Sequence, residues 1–153
     1  MRTLVLYSSR TGNTKKVAQA IAGALPAGME GGRCELPAAL AARCIAALQK
    51  PNARVELGLA LREQQLASAA IDVSDGLLAD LGHICERSDC AAAVKLVQLP
   101  HLPKGDTYDA DLRRIALECQ VAGGDDYELC FTAPGTLSLT IAQIAARLEL
   151  PLW

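Results

Sequence analysis

Two carboxylates three residues apart, Asp72 and Asp75, sit in the run Ile71-Asp72-Val73-Ser74-Asp75-Gly76-Leu77. Placed where a strand ends and turns, their oxygens suit Mg2+, which takes one or two carboxylates and leaves its other positions to water and phosphate. The same residues also read as a helix start, with Ser74 as the cap and Asp75 in the first turn. A second polar run, Ser9-Arg10-Thr11-Gly12-Asn13-Thr14, lies between an apolar stretch and a helical pattern. Gly12 lets the backbone approach an anion closely, and Ser9, Thr11 and Thr14 offer hydroxyl donors beside Asn13. Arg10 adds a charge-assisted contact, and the helix start aims unpaired N–H groups at a phosphate. Capping alone is the competing reading of this run.

The elements that must hold these runs follow from periodicity. Thr3–Ser8 is a short apolar run that predicts a buried strand. Lys15–Leu25 carries Val17, Ile21 and Leu25 on one helical face, and Pro26 ends it. Helices are predicted over Leu36–Gln49, Val55–Leu66, Asp111–Gln120 and Leu137–Leu148, and another runs from the Ser74-Asp75-Gly76 turn to Arg87. Strands are predicted over Ser68–Val73, Ala91–Val97 and Tyr127–Thr132, with a loop at Leu99–Asp109 and a break at Gly123-Gly124. Strands and helices interleave along the chain, which argues for a layered α/β sandwich.

The chain has 153 residues, enough for one domain and short for two. Apolar residues make up 51%, but the aromatics are one Phe, three Tyr and one Trp, so aliphatic side chains must build the core. Fifteen Lys and Arg against 17 Asp and Glu give a net charge of −2, which argues against broad nucleic-acid binding. There is no run of 18 apolar residues and no signal-peptide pattern, so the expectation is a soluble cytoplasmic domain that does not engage membranes. The six cysteines contain no C-x-x-C pair and there are only two histidines, His83 and His101. A structural metal is not expected, and the cysteines read as buried reduced thiols.

Two resemblances add to this reading. Residues 2–26, with the pattern S-R-T-G-N-T, resemble the first strand, phosphate loop and first helix of a flavodoxin, which implies a loop that holds a phosphate. The later aromatic loops that grip a flavin ring have no counterpart here, so tight FMN binding is not expected. From about residue 36 onward the chain resembles the C-terminal domain of the thiamine-monophosphate kinase family, of the AIR-synthetase-like superfamily. The matching pieces are P-N-A-R-V-E-L-G-L-A-L (51–61), A-S-A-A-I-D-V-S-D-G-L-L-A-D-L-G-H-I (67–84), L-P (99–100) and G-G-D-D-Y-E-L-C-F-T (123–132).

That family transfers the γ-phosphoryl group of ATP to thiamine phosphate. The resemblance implies that Asp72 and Asp75 bind Mg2+, that Ser74 contacts ATP and that Asp125 lies near the substrate, where the family usually has Glu. It implies that Asp126, Tyr127 and Glu128 fix the turn and the strand start. It also implies a fold, a three-layer α-β-α sandwich with a mixed sheet in truncated form. Together the two resemblances imply a single hybrid domain made by engineering or selection. A flavodoxin-like unit (1–27) and a Gly-rich junction (28–35) precede the kinase-like remainder (36–153). Such a chimera is expected to bind phosphate-bearing small molecules without turnover, since the family's N-terminal domain supplies most of the Mg2+-binding acids. Kinase activity and an FMN-binding module are the alternatives. An uncovered sheet edge makes self-association a further expectation.

Overall fold

The structure is a computed structural model that describes residues 3–8, 38–100 and 110–153. The run Ser9–Thr14, the expected helix Lys15–Leu25 and the Gly-rich junction lie outside the described residues, as does most of the expected loop Leu99–Asp109. In chain order the elements are β1 (Thr3–Ser8), α1 (Ala38–Gln49), α2 (Val55–Glu63), β2 (Ala69–Val73), α3 (Leu77–Arg87), α4 (Ala110–Ala122), β3 (Glu128–Pro134) and α5 (Ser138–Arg147). Short 3-10 turns occupy Leu96–Gln98 and Gly135–Leu137.

The sheet has the order β1-β3-β2. β3 runs against both neighbours, pairing Thr3 with Pro134 through Ser8 with Leu129 on one side. On the other, Ala69 pairs with Thr132 through Val73 with Glu128. Both described pairings are therefore antiparallel. The parallel pairing that would make the sheet mixed is not among the described residues.

Alternation along β3 explains the three layers, because successive side chains point to opposite faces. Phe131 and Ala133 meet Leu57 and Leu61 of α2 and Ile141 and Ile144 of α5, with Leu66 completing that core. Cys130, just before Phe131, meets Val73 of β2 and Leu77, Leu81 and Ile84 of α3 on the other face, together with Leu99. Val121 of α4 packs against this second core. Spacings of i, i+4 in α2, i, i+4, i+7 in α3 and i, i+3 in α5 are what make each of these helices one-sided. Phe131, the sole phenylalanine, has no exposed surface and sits at the centre of the middle strand.

Three helices end alike. Gln65, Asp89 and Glu149 adopt positive φ of 52°, 47° and 55°. After each of them a backbone N–H reaches back five residues, from Leu66 to the Leu61 carbonyl, from Cys90 to Cys85 and from Leu150 to Ala145. This is the Schellman geometry, in which a left-handed residue lets the chain fold back over its own last turn and satisfies the orphan carbonyls.

The predicted strand Ala91–Val97 does not form. That segment is irregular and ends in the 3-10 turn Leu96–Gln98. Its three alanines are exposed and carry no β-branched surface to lay against the sheet. The Gln120 side-chain amide instead donates to the carbonyls of Leu96 (2.9 Å) and Leu99 (3.4 Å), tying the segment to α4. Among the described residues, no helix is long and apolar enough to cross a membrane.

Candidate functional site at the end of the second strand

Beyond the last ladder pair of β2 and β3, the two chains stay laced together. Tyr127 N–H donates to the Val73 carbonyl at 2.9 Å and Asp125 N–H to the Ser74 carbonyl at 2.8 Å. The segments 71–77 and 123–128, fifty residues apart in sequence, are thereby one surface feature. Two glycines make the approach possible. A Cβ on Gly124 would lie 2.3 Å from the Ser74 carbonyl oxygen, and one on Gly76 would lie 2.9 Å from the Ala122 carbonyl carbon. Gly76 also takes φ +123°, a conformation costly for any L side chain. Gly124→Ala should push the loop off the turn and destabilise the protein by about 1–3 kcal/mol. A urea-denaturation midpoint unchanged from that of the parent would refute this.

The turn is organised by a residue that the motif spacing did not single out. Gly76, not Ser74, is the N-cap of α3, and no side chain caps it. Asp80, one turn into the helix, reaches back with Oδ2 and accepts N–H bonds from Ser74 (3.0 Å), Asp75 (3.1 Å) and Gly76 (3.1 Å). Asp80 is 2% exposed, so this carboxylate is an internal strut of the turn. Its effect is to hold the exposed Asp75 at the rim.

The oxygen and nitrogen atoms of Asp75, Asp80 and His83 lie within 4.8 Å of one another. Asp72 is not in that group. It lies exposed on β2, and since side chains alternate, it points to the face opposite Val73. Ser74 is half-buried, with its carbonyl bonded to the 123–128 loop. Asp125, also half-buried, has φ +60°, and the Tyr127 hydroxyl lies 3.4 Å from its Oδ1. The structure therefore brings Asp75 and Asp125 to one edge through their backbones and sets Asp72 apart. Asp80 and His83 had one readable signal, their i, i+3 spacing just inside the helix.

Behind the loop, Glu128 is held by Arg54, the residue preceding α2. Arg54 Nε and Nη2 donate to the two carboxylate oxygens of Glu128 at 2.6 Å each, with both side chains 5% exposed. This buried fork joins positions 74 residues apart and fixes where β3 begins. Asp126 is buried beside it.

The cysteines do not form one class. Cys44, Cys119 and Cys130 are buried, Cys85 is half-buried and Cys90 is exposed, contrary to the uniform burial expected. Burial first, then the neighbouring Asp80 and Cys85, pushes the Cys130 thiol up to about 12.

The sandwich resembles the fold of solved thiamine-monophosphate kinases. In sequence the chain is homologous to the C-terminal part of thiamine-monophosphate kinase. The kinase of Salmonella typhimurium is 45% identical over 103 residues, 62% of this chain and 29% of that protein. The crystal structure of thiamine-monophosphate kinase from Stenotrophomonas maltophilia is 37% identical, with a TM-score of 0.71 over 98% of this chain and 45% of that one. AaThiL, solved in complex with AMPPCP and TMP, is 25% identical, with a TM-score of 0.59 over 86% of this chain and 39% of its own. The chain thus spans under a third of the length of the Salmonella relative. No protein-family model matches it.

Proposed function

We propose that this chain is a phosphate-ligand-binding domain that retains part of a Mg-ATP and thiamine phosphate site and does not turn over by itself. The observation that carries this reading is the Asp80-braced turn, which presents Asp75 at the same edge as Asp125. These are two of the positions expected to face metal and substrate. The donor chemistry fits Mg2+. Asp75 is exposed, and Asp80 has a second oxygen besides the one that braces the turn, so two carboxylates are available with water filling the remainder. The imidazole of His83 is a softer donor and is not needed for that ion. Bound there, Mg2+ would neutralise phosphate charge.

The chain's own residues would do the positioning. Asp75 would take the metal, Asp72 would serve a second ion from the neighbouring strand face, Ser74 would meet the nucleotide, and Asp125 would meet the substrate. Phosphoryl transfer is mostly positioning and charge neutralisation. One gathered set of donors among the described residues, with one of its carboxylates already bracing a turn, supports binding more than transfer.

The hybrid organisation belongs to the same proposal. A flavodoxin-like unit (1–27) is joined through 28–35 to a kinase-like remainder, and its Ser9–Thr14 loop is a second phosphate cradle. The antiparallel seating of β1 beside β3 supports a strand placed in a kinase-type sheet, since flavodoxin-like sheets are mostly parallel. A nucleotide-binding domain of this kind fits a cytoplasmic location.

The test is a thermal-shift panel with Mg-ATP, thiamine phosphate, inorganic phosphate and FMN. A ligand at about 100 times its dissociation constant stabilises by about 2.7 kcal/mol. Mg-ATP is expected to raise the melting temperature, Asp75→Asn to abolish the Mg2+-dependent part, and FMN to have no effect. Silence from every phosphate ligand would overturn the proposal. Thiamine diphosphate formed from ATP and thiamine phosphate, and lost in Asp72→Asn, would replace binding with kinase activity.

A further inference from the structure

The end of α3 brings two cysteines to the positions that close its last turn. Ser88 ends the helix, Asp89 takes the left-handed conformation, and two reversed bonds close the turn. Asp89 N–H donates to the Glu86 carbonyl at 3.4 Å and Cys90 N–H to the Cys85 carbonyl at 3.0 Å. In this geometry the residue three places before the cap and the second residue after it are brought into side-chain contact. In α2 and α5 the same two positions hold Leu61 with Leu66 and Ala145 with Leu150, all apolar residues. In α3 the pair is Cys85 with Cys90, and the Cys85 thiol is raised first by burial and then by the neighbouring Cys90. The two differ in access, since Cys85 is half-buried against the α3 core and Cys90 is exposed. A reagent in solution can reach Cys90, and the product then has its resolving partner adjacent.

We propose that Cys85 and Cys90 form a dithiol site that a low-molecular-weight disulfide of the glutathione type oxidises to an intramolecular disulfide. The Cys90 thiolate attacks one sulfur of the oxidant, whose S–S bond breaks and releases one thiolate. The Cys85 thiolate then attacks the Cys90 sulfur of the mixed disulfide and expels the second. The protons of the two cysteines end on the two small thiols released, the protein sulfurs are oxidised, and the oxidant is reduced. The other described cysteines are unsuited to the first step. Cys44, Cys119 and Cys130 are buried, and Cys130 remains a neutral thiol far above neutral pH. Closure would pin the turn after α3 to the helix.

The sequence makes the bond easy to read, because trypsin cuts after Arg62, Arg87 and Lys95 and so separates the two cysteines. The reduced full chain is treated with glutathione disulfide, the remaining thiols are alkylated, and the digest is analysed by mass spectrometry. The expected result is loss of two alkylatable thiols per chain, with peptides 63–87 and 88–95 joined and separable by dithiothreitol. Cys90→Ser, a change at an exposed position, should leave the circular dichroism spectrum unchanged and restore alkylation of Cys85. Three results would overturn the proposal: stable glutathione on Cys90 without closure, a link from Cys85 to the peptide carrying Cys119 and Cys130, or a Cys90 bridge between two copies.

Discussion

Asp80→Ala is expected to lower the stability of the protein by about 3–5 kcal/mol, because it strands three backbone N–H groups in a largely buried turn. Each bond from an amide to a charged acceptor contributes about 1.5–3 kcal/mol, and an orphaned donor adds its own desolvation cost. The three do not sum, since the turn is only part-buried at Ser74 and Asp75 and water can reach some of what is exposed. Against a typical total of about 5–15 kcal/mol this is a large share. Urea denaturation should show a lower midpoint with an unchanged slope, which marks lost stability rather than a changed unfolded state. Asp80→Asn keeps an oxygen where Oδ2 lies but loses the charge, so it should cost roughly half as much. A midpoint for Asp80→Ala within experimental error of the parent would show that the strut is not needed. Because Asp80 orients the turn, the alanine variant should also lose the Mg2+-dependent thermal shift expected of the parent.

The second large effect is expected at the buried fork. Glu128→Ala leaves the Arg54 guanidinium in a site with 5% exposure, and breaking such a pair from one side costs about 3–5 kcal/mol. Removing both charges is a different experiment. Arg54→Met with Glu128→Leu replaces the pair by apolar groups of similar bulk, and buried pairs exchanged in this way are often neutral or better. The double variant is therefore expected to be more stable than either single variant, and a double-mutant cycle should show a coupling of about 2 kcal/mol or more. Simple additivity of the two single losses would rule out the fork as a paired unit. The contrast has a functional side, because Glu128 opens β3 directly after the loop that carries Asp125. If the fork only fixes where the strand starts, the apolar double variant should retain the response to Mg-ATP.

How much of this was legible beforehand depends on whether the determining interaction is local. The apolar spacing of Leu57 and Leu61, of Leu77, Leu81 and Ile84, and of Ile141 and Ile144 declared the one-sided helices, because a helix repeats every 3.6 residues whatever it packs against. β2 and β3 match the expected strands within two residues because a short apolar run bounded by turn residues is also a local signal. Ala91–Val97 was misread because a short apolar run says nothing about whether a partner strand lies within reach. Here the neighbouring helix supplies Gln120, which bonds to the carbonyls at the end of that segment. Ser74 looked like a cap by residue type, and Asp80, a helical position by its spacing, fills that role from inside the helix.

By itself the sequence determined the layered α/β class, the described helices, the aliphatic core and the two acidic segments proposed to meet phosphate ligands. Those properties reside in side-chain type and local period, which need no distant partner to be expressed. Only the tertiary structure decided that Asp75 is grouped with Asp80 and His83 while Asp72 stands apart, that Arg54 pairs with Glu128, and that Cys85 and Cys90 close one turn. The first depends on the Asp80 carboxylate bonding back to the turn at 74–76, and the second on folding that brings two side chains 74 residues apart into one buried site. The third depends on one left-handed residue at the end of a helix, and no composition or spacing specifies that.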